Sequence, residues 1–399
     1  MALKSLTRPN SRRFTQLYVL IGAGCLTTMT GGIVSPVLPE IVQQLQLDPR
    51  WAGTLVSAHA LAIALFTPIL GLLADRVGKR RVLIVSLLCY SVFGAAGGFM
   101  AQLGPLLISR VLLGIASAGI AAASIGLLST MYDGEARTRM LGYATSAMTT
   151  ASIFVPVVGG WVGAIHWSFA FYLYGFGVPV ALLATIILRE GSYRSSSLIA
   201  SPKELLRVIR QPAVLRLYLS ITLAAAVVYA VVIYTPLYLK DAIGADPALN
   251  GFVLAIRAVG AATMSAIAAS RLAKAIGTGP TVGLGFVIMG AMLCTIPLLD
   301  RLWTIVPAAV LFGMGFGITI PNIYDGLAAL APPEIRASVL AIGTGTNSLG
   351  QFLSPLLLGP VWETASLPTV FYAAGILAIG VGIISWAVPL AAPVPSGSK

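Results

Sequence analysis

The chain has 399 residues, of which 57% are hydrophobic and 10% charged, against roughly 25% charged in a typical soluble domain. That composition excludes a water-soluble globule, and with it the two or three soluble domains that length alone would suggest. The formal charge of +12, from 25 Lys and Arg against 13 Asp and Glu, would in a soluble chain point to nucleic acid; here the placement of the charges decides.

Lys4, Arg8, Arg12 and Arg13 precede an apolar run from about Gln16 to Leu38. The run is too long for a cleaved signal peptide and is read as a retained first span. Twelve stretches near the ~20 residues that cross a bilayer as helix fall at about 16–40, 51–73, 82–102, 105–128, 140–163, 168–188, 213–239, 249–270, 279–299, 302–328, 337–359 and 367–388. A β-barrel would need segments of ~10 residues with period-two alternation, which LLISRVLLGIASAGIAAASIGLL lacks. The expected fold is an all-α membrane protein of twelve transmembrane helices in two pseudo-symmetric six-helix bundles.

On span one, Thr30, with Thr27 and Thr28, offers hydroxyls to a cavity, and Glu40 lies at the outer end. On span two, His59 sits some eight residues in, near midplane. An imidazole there either relays protons or faces substrate, or it packs on a polar seam. Between spans two and three the chain reads Gly71-Leu-Leu-Ala-Asp75-Arg76-Val-Gly78-Lys79-Arg80-Arg-Val-Leu83. This resembles, at every defining position, the loop signature of the major facilitator superfamily, G-x-L-a-D-r-x-G-r-k-x-x-l. The resemblance implies a gating role for Gly71, Asp75, Arg76, Gly78, Lys79 and Arg80, with Asp75 capping the positive end of span eleven, which begins near Arg336. The competing reading of Asp75 is a solvated loop charge.

Arg110-Val-Leu-Leu-Gly114 on span four resembles the R-x-x-x-G element of proton-coupled members, and Ala151 through Gly160 on span five resembles the antiporter signature G-x-x-x-G-P-x-x-G-G. Pro156, Gly159 and Gly160 fit that pattern; Ala151 and Val155 depart from its glycines. The branch resembled is the twelve-span drug/proton antiporters. Small residues and proline on span five also have a mechanical reading as a hinge or tight helix seam. Charge within a membrane is costly and functional by default. Glu40 and Arg110 lie at similar depth and are expected to pair, with Glu40 exchanging protons.

The polar stretch from Arg189 to about Pro212 divides the chain into an N-terminal bundle, 1–188, a cytoplasmic linker, 189–212, and a C-terminal bundle, 213–399. The halves repeat at an offset of 199: Gly114 with Gly313, Glu135 with Glu334, Arg137 with Arg336, Pro156 with Pro355, Gly160 with Gly359. At an offset of 195, Arg76 meets Arg271 and Lys79 meets Lys274. Parallel six-helix repeats are a transporter signature, with substrate near midplane between halves. In the second half Tyr229, Tyr234, Asn322, Asn347 and Gln351 are candidate substrate contacts. Arg257, deep in span eight, either binds an anionic substrate or is neutralised by protein. Asp325 is the acidic candidate of the second half's spans and joins His59, Glu40 and Arg110 as a proton-coupling candidate.

With the N-terminus inside, 20 of the 25 positive residues fall in inner segments and three, Arg50, Lys240 and Arg301, outside, as the positive-inside rule requires. The net charge therefore records insertion and no nucleic-acid partner is expected. Cys25, Cys89 and Cys294 lie in apolar stretches without CxxC spacing, so neither disulfide nor metal site is expected. No G-x-x-x-x-G-K-[ST] loop supports ATP-driven transport, and two histidines give an enzyme little material. A non-transporting receptor or scaffold is disfavoured by the short loops. The expectation is a secondary transporter, not an enzyme, without cofactor. It is expected to work as a monomer in the lipid bilayer of a bacterial-type inner membrane, both termini cytoplasmic. It would move a small amphipathic or drug-like substrate outward against protons. The alternative is an organic-anion (carboxylate) transporter using Arg257, Arg110 and His59.

Overall fold

The computed structural model describes residues 11–132, 134–188, 202–333 and 335–387. Most of the predicted linker, Lys4 and Arg8 of the basic tail, and Glu334 of the repeat lie outside the described residues. Among those described there is no strand, and eleven helical segments are long and apolar enough to cross a bilayer. Spans one to six are Phe14–Gln44, Trp51–Val77, Lys79–Phe99, Leu103–Met131, Arg139–Gly163 and Trp167–Ile187. Spans seven to ten are Pro212–Ile243, Pro247–Ile267, Thr278–Leu298 and Leu302–Leu330, and span twelve is Leu367–Ala387. The predicted span eleven is the 29-residue helix Arg336–Thr364. It has the length to cross at 1.5 Å per residue, but Thr344, Thr346, Asn347, Ser348 and Gln351 make it the most polar of the twelve. The chain is an integral membrane protein.

Local chemistry sets the helix ends. Gly244 closes span seven with φ of 64°, the left-handed cap that glycine adopts without penalty. Asp246 opens span eight: its Oδ1 accepts the Leu249 amide at 2.8 Å, with Pro247 at the first helical position, where the missing proline N–H costs nothing. Span one is interrupted. Its helix ends at Gly32, a 3-10 turn covers Ser35–Val37, and Leu38–Gln44 resumes as helix. Pro36 and Pro39 withhold the amides that would continue the ladder, so carbonyls of the last turn before the break are left for other donors.

The repeat is visible in backbone geometry and corrects one of the offsets. Gly78 and Gly277, 199 residues apart, both precede a helix with positive φ, 108° and 90°; that is the offset of Gly114 and Gly313. On the helices before them the offset is 198: span two starts from Pro49 and the eighth from Pro247. The extra residue is absorbed at Ala268, where the second copy breaks into Pro247–Ile267 and Ala269–Ile276 while the first runs unbroken from Pro49 to Val77. The match at 195, which paired Arg76 with Arg271 and Lys79 with Lys274, is therefore about one helical turn out of register.

The two halves meet at the end opposite the loop carrying Arg76, Lys79, Arg80 and Arg81, here the closed end, and part toward that loop, the basic end. At the closed end Ser35 Oγ donates to the Val232 carbonyl and Asn250 Nδ2 to the Pro36 carbonyl at 3.2 Å. Two seams flank these bonds and mirror one another. Gly53 of span two lies on Pro355 of span eleven, and Gly251 of span eight lies on the main chain of Pro156 in span five. Toward the basic end, Tyr143, Thr145, Thr149 and Thr150 of span five are exposed.

Candidate functional site

Arg110 has no exposed surface, and it does not snorkel. Its Nη2 donates to the Thr30 carbonyl at 2.9 Å and its Nη1 to the Tyr174 hydroxyl at 3.0 Å. Its guanidinium stands 5.7 Å from the ring centroids of both Phe171 and Tyr174, within cation–π range. The acceptor exists because span one breaks just beyond it: Thr30 is in the final turn, where carbonyls lack helical donors and a positive charge meets the negative end of the helix dipole. The Thr30 hydroxyl is used locally, 2.9 Å from Ser117 Oγ.

The expected Glu40–Arg110 pair is not formed. The interruption carries Glu40 onto the outer helix Leu38–Gln44, where it receives Lys240 Nζ at 3.0 Å. This ion pair joins span one to span seven across the halves. Partly exposed pairs contribute about 0.2–1 kcal/mol, a few-fold bias toward the closed end. Lys240→Glu is expected to raise labelling of a cysteine at the buried position Val37 about two- to fivefold, as that energy allows, and Glu40→Lys in the same chain to restore it. Equal labelling rates in all three proteins would refute the bias.

His59 is 2% exposed, and Tyr229 of the opposite half places its hydroxyl 3.5 Å from His59 Nε2, beside Gly31. His59 Nδ1 is buried without a partner. Tyr229 is within electrostatic range of both Arg110 and Arg257. His59 and Arg257 are themselves repeat equivalents, 198 apart. Each lends its carbonyl oxygen to the close approach of a glycine, Gly114 against His59 and Gly313 against Arg257, and a Cβ on either glycine would strike that oxygen. His59 with Tyr229, and Arg110 with Tyr174, thus form two polar contacts deep within the spans.

Other candidates lie elsewhere. Tyr234 is 1% exposed and stacks edge-on against Trp362 at 5.8 Å, packing spans seven and eleven within one half. Asn322 is buried, its amide donating to the Ile318 and Ala269 carbonyls at 2.8 and 3.2 Å; it ties span ten to the helix Ala269–Ile276 instead of lining a cavity. Asp325 is exposed near the basic end of span ten and is not brought to Arg257. Asn347 and Gln351 bond each other at 2.9 Å, half-buried on span eleven. Pro156 and Gly160 form the span-five side of the closed-end seam, Gly160 against the Pro247 carbonyl, while Gly159 packs on Ile33 of span one within its own half.

At the basic end Asp75 pairs with Lys79 at 3.0 Å and is 58% exposed, and Arg80 donates to the Thr185 carbonyl at 2.6 Å. Among the described residues no ion pair or hydrogen bond joins Asp75 to span eleven, the contact implied by the loop resemblance. Gly71 has Ala122 as its nearest neighbour and Arg76 is exposed; Gly78 supplies the positive-φ corner, which suits a residue without Cβ. Sequence reasoning missed Tyr174, Phe171, Ser117, Lys240 and Thr235. For Tyr174 a signal existed in the aromatic spacing Phe171-x-x-Tyr174, one face of a helix. Among the described residues no group of His, Cys, Asp and Glu is arranged to hold a metal.

The chain is 22% identical over 377 residues to the quinolone resistance protein NorA of Staphylococcus aureus, covering 92% of this chain and 95% of that protein. It is 22% identical over 361 residues to multidrug resistance protein 1 of Bacillus subtilis, covering 90% and 92%. Its fold matches the crystal structure of a bacterial homolog to the human lysosomal transporter Spinster in an inward-facing, unoccupied conformation. That match has a TM-score of 0.80 at 17% identity and covers 95% of this chain and 96% of that one. The nucleoside transporter NupG matches with TM-score 0.78 at 12% identity, covering 94% and 99%. The profile of the Major Facilitator Superfamily matches residues 20–244 and 217–399, essentially the whole described bundle, and the chain belongs to that family of transporters.

Proposed function

We propose that this transporter exports small amphipathic or drug-like molecules in exchange for protons, by alternating access of its halves, 1–188 and 213–399. The observation that carries the reading is the His59–Tyr229 contact. It sets an imidazole, the side chain whose unperturbed pKa lies nearest neutral, on the seam between the halves, 3.5 Å from a hydroxyl of the other half. A change in the proton on His59 alters its bond to Tyr229 and hence the balance between arrangements of the two halves. The positive-inside rule assigns the basic end to the cytoplasm, so the conformation described is open inward. Substrate enters between the halves, where span five brings the adaptable side chain of Met148 onto Gly24 of span one. Such a surface suits varied amphipathic ligands. The similarity to NorA and to the Bacillus multidrug resistance protein supports the same reading.

The anion reading has less support. Arg110 is occupied by the Thr30 carbonyl and Tyr174, and Arg257 lines a small cavity inside the C-terminal half. Purified protein in proteoliposomes with an imposed pH gradient separates the two readings. Export predicts gradient-driven movement of amphipathic dyes or quinolones with counter-movement of protons, uncoupled by His59→Gln. Carboxylate exchange abolished by Arg257→Ala, with no movement of dyes, would overturn it.

A further inference from the structure

Arg257 is the middle residue of the helix Pro247–Ile267, as far from either membrane face as span eight allows. A guanidinium does not give up its proton in a protein, and a charge at this depth persists where something balances it. Among the described residues no ion pair or hydrogen bond reaches Arg257, and its Nε is buried without an acceptor.

Arg257 lines a cavity of about 20 Å³ between spans seven, eight, nine and ten, whose wall is mostly apolar, with Val231, Leu254, Ile305 and Phe312. A second polar group lines the same cavity. Thr235, 4% exposed, has its hydroxyl buried without a partner. Arg257, partly exposed but with its Nε buried and unpartnered, and a hydroxyl without a protein partner thus line one small cavity. Roughly 10–15 Å³ of such space holds a water-sized species, so the volume admits one small ion. A neutral water would meet the hydrogen-bonding needs and leave the charge standing.

We propose that Arg257 and Thr235 form a binding site for a small monovalent anion of halide size, held by the guanidinium and by the threonine hydroxyl as donors. The site lies wholly within the C-terminal half. The anion therefore moves with that half and keeps the cavity wall neutral as the halves rearrange, apart from the substrate path.

Equilibrium binding of radiolabelled chloride to the purified protein in nanodiscs tests this without substrate or pH gradient, so its failure leaves the export reading untouched. The expected result is one chloride per chain, displaced by bromide and not by sulfate or benzoate. Affinity should fall at least about tenfold in Arg257→Met, equivalent to about 1.4 kcal/mol, and measurably in Thr235→Val. Replacing chloride by gluconate should lower the unfolding temperature of the wild-type protein and not that of Arg257→Met, which covers the case of a poorly folding variant. No chloride binding at physiological salt, binding unchanged in both variants, or binding of benzoate in place of chloride would overturn the proposal.

Discussion

Arg110→Met is expected to fold at least as stably as the wild-type protein and to lose transport. Arg110 is fully buried, and no carboxylate lies within ion-pair distance among the described residues. Its bonds run to a carbonyl and a phenol. Desolvating a charge without a counter-charge is unfavourable, and buried ionic clusters replaced by apolar side chains of similar volume come out neutral or more stable by about 1–4 kcal/mol. The Thr30 carbonyl keeps a donor after the change, because the Tyr174 hydroxyl also reaches it at 3.0 Å. Arg110→Ala should differ: it leaves a cavity and lowers stability by about 3–5 kcal/mol, as large-to-small changes in a packed interior do. Unfolding in detergent compares the two, and substrate flux in proteoliposomes reads the activity. Wild-type flux in Arg110→Met, or a stability loss as large as that of alanine, would show that the arginine is there for packing alone.

The second large effect is expected at the closed-end seams. Gly251→Ala points its Cβ at the Pro156 carbonyl oxygen, and Gly53→Ala points its Cβ at the Pro355 side chain. Overpacking of this kind costs about 1–3 kcal/mol, which depopulates the closed end about 5- to 150-fold. Spin labels at Gln46→Cys and Ala242→Cys, in a chain with Cys25, Cys89 and Cys294 replaced by serine, report the separation of spans one and seven there. Both alanine variants should shift the distance distribution to longer values. The two seams should differ in rescue. Pro355→Gly removes the atom that Gly53→Ala meets and restores the short distance. No side-chain change at Pro156 rescues Gly251→Ala, because the obstacle is main chain. Unshifted distances would mean that the seams do not hold the halves together.

The opposite end behaves differently for the same mechanical reason. Asp75 is bonded within its own loop to Lys79, and its expected partner helix stands away. The loop expected from the resemblance to gate the basic end is bonded within itself here, while the residues of the far end are in contact across the halves.

Spans, their number, the twofold repeat and the family were legible in the sequence because they depend on local quantities. Apolar length, basic loops and glycine or proline at fixed offsets each act within a helix or a turn. Chemistry at the site was less legible because it depends on which helix faces which. Glu40 and Arg110 sit at similar depth along the chain's course, yet the break at Ile33–Val37 rotates one away to Lys240 and presents the Thr30 carbonyl to the other. No one-dimensional depth count contains that rotation. His59 and Arg257 were both legible as polar residues near midplane, and only the tertiary structure shows the first touching the opposite half and the second turned to a cavity within its own. The sequence by itself determined a twelve-span transporter with few charges in its spans. Tertiary packing decided what each charge is paired with, because in a low-dielectric interior a guanidinium takes the acceptors that helix breaks and neighbouring spans bring to it.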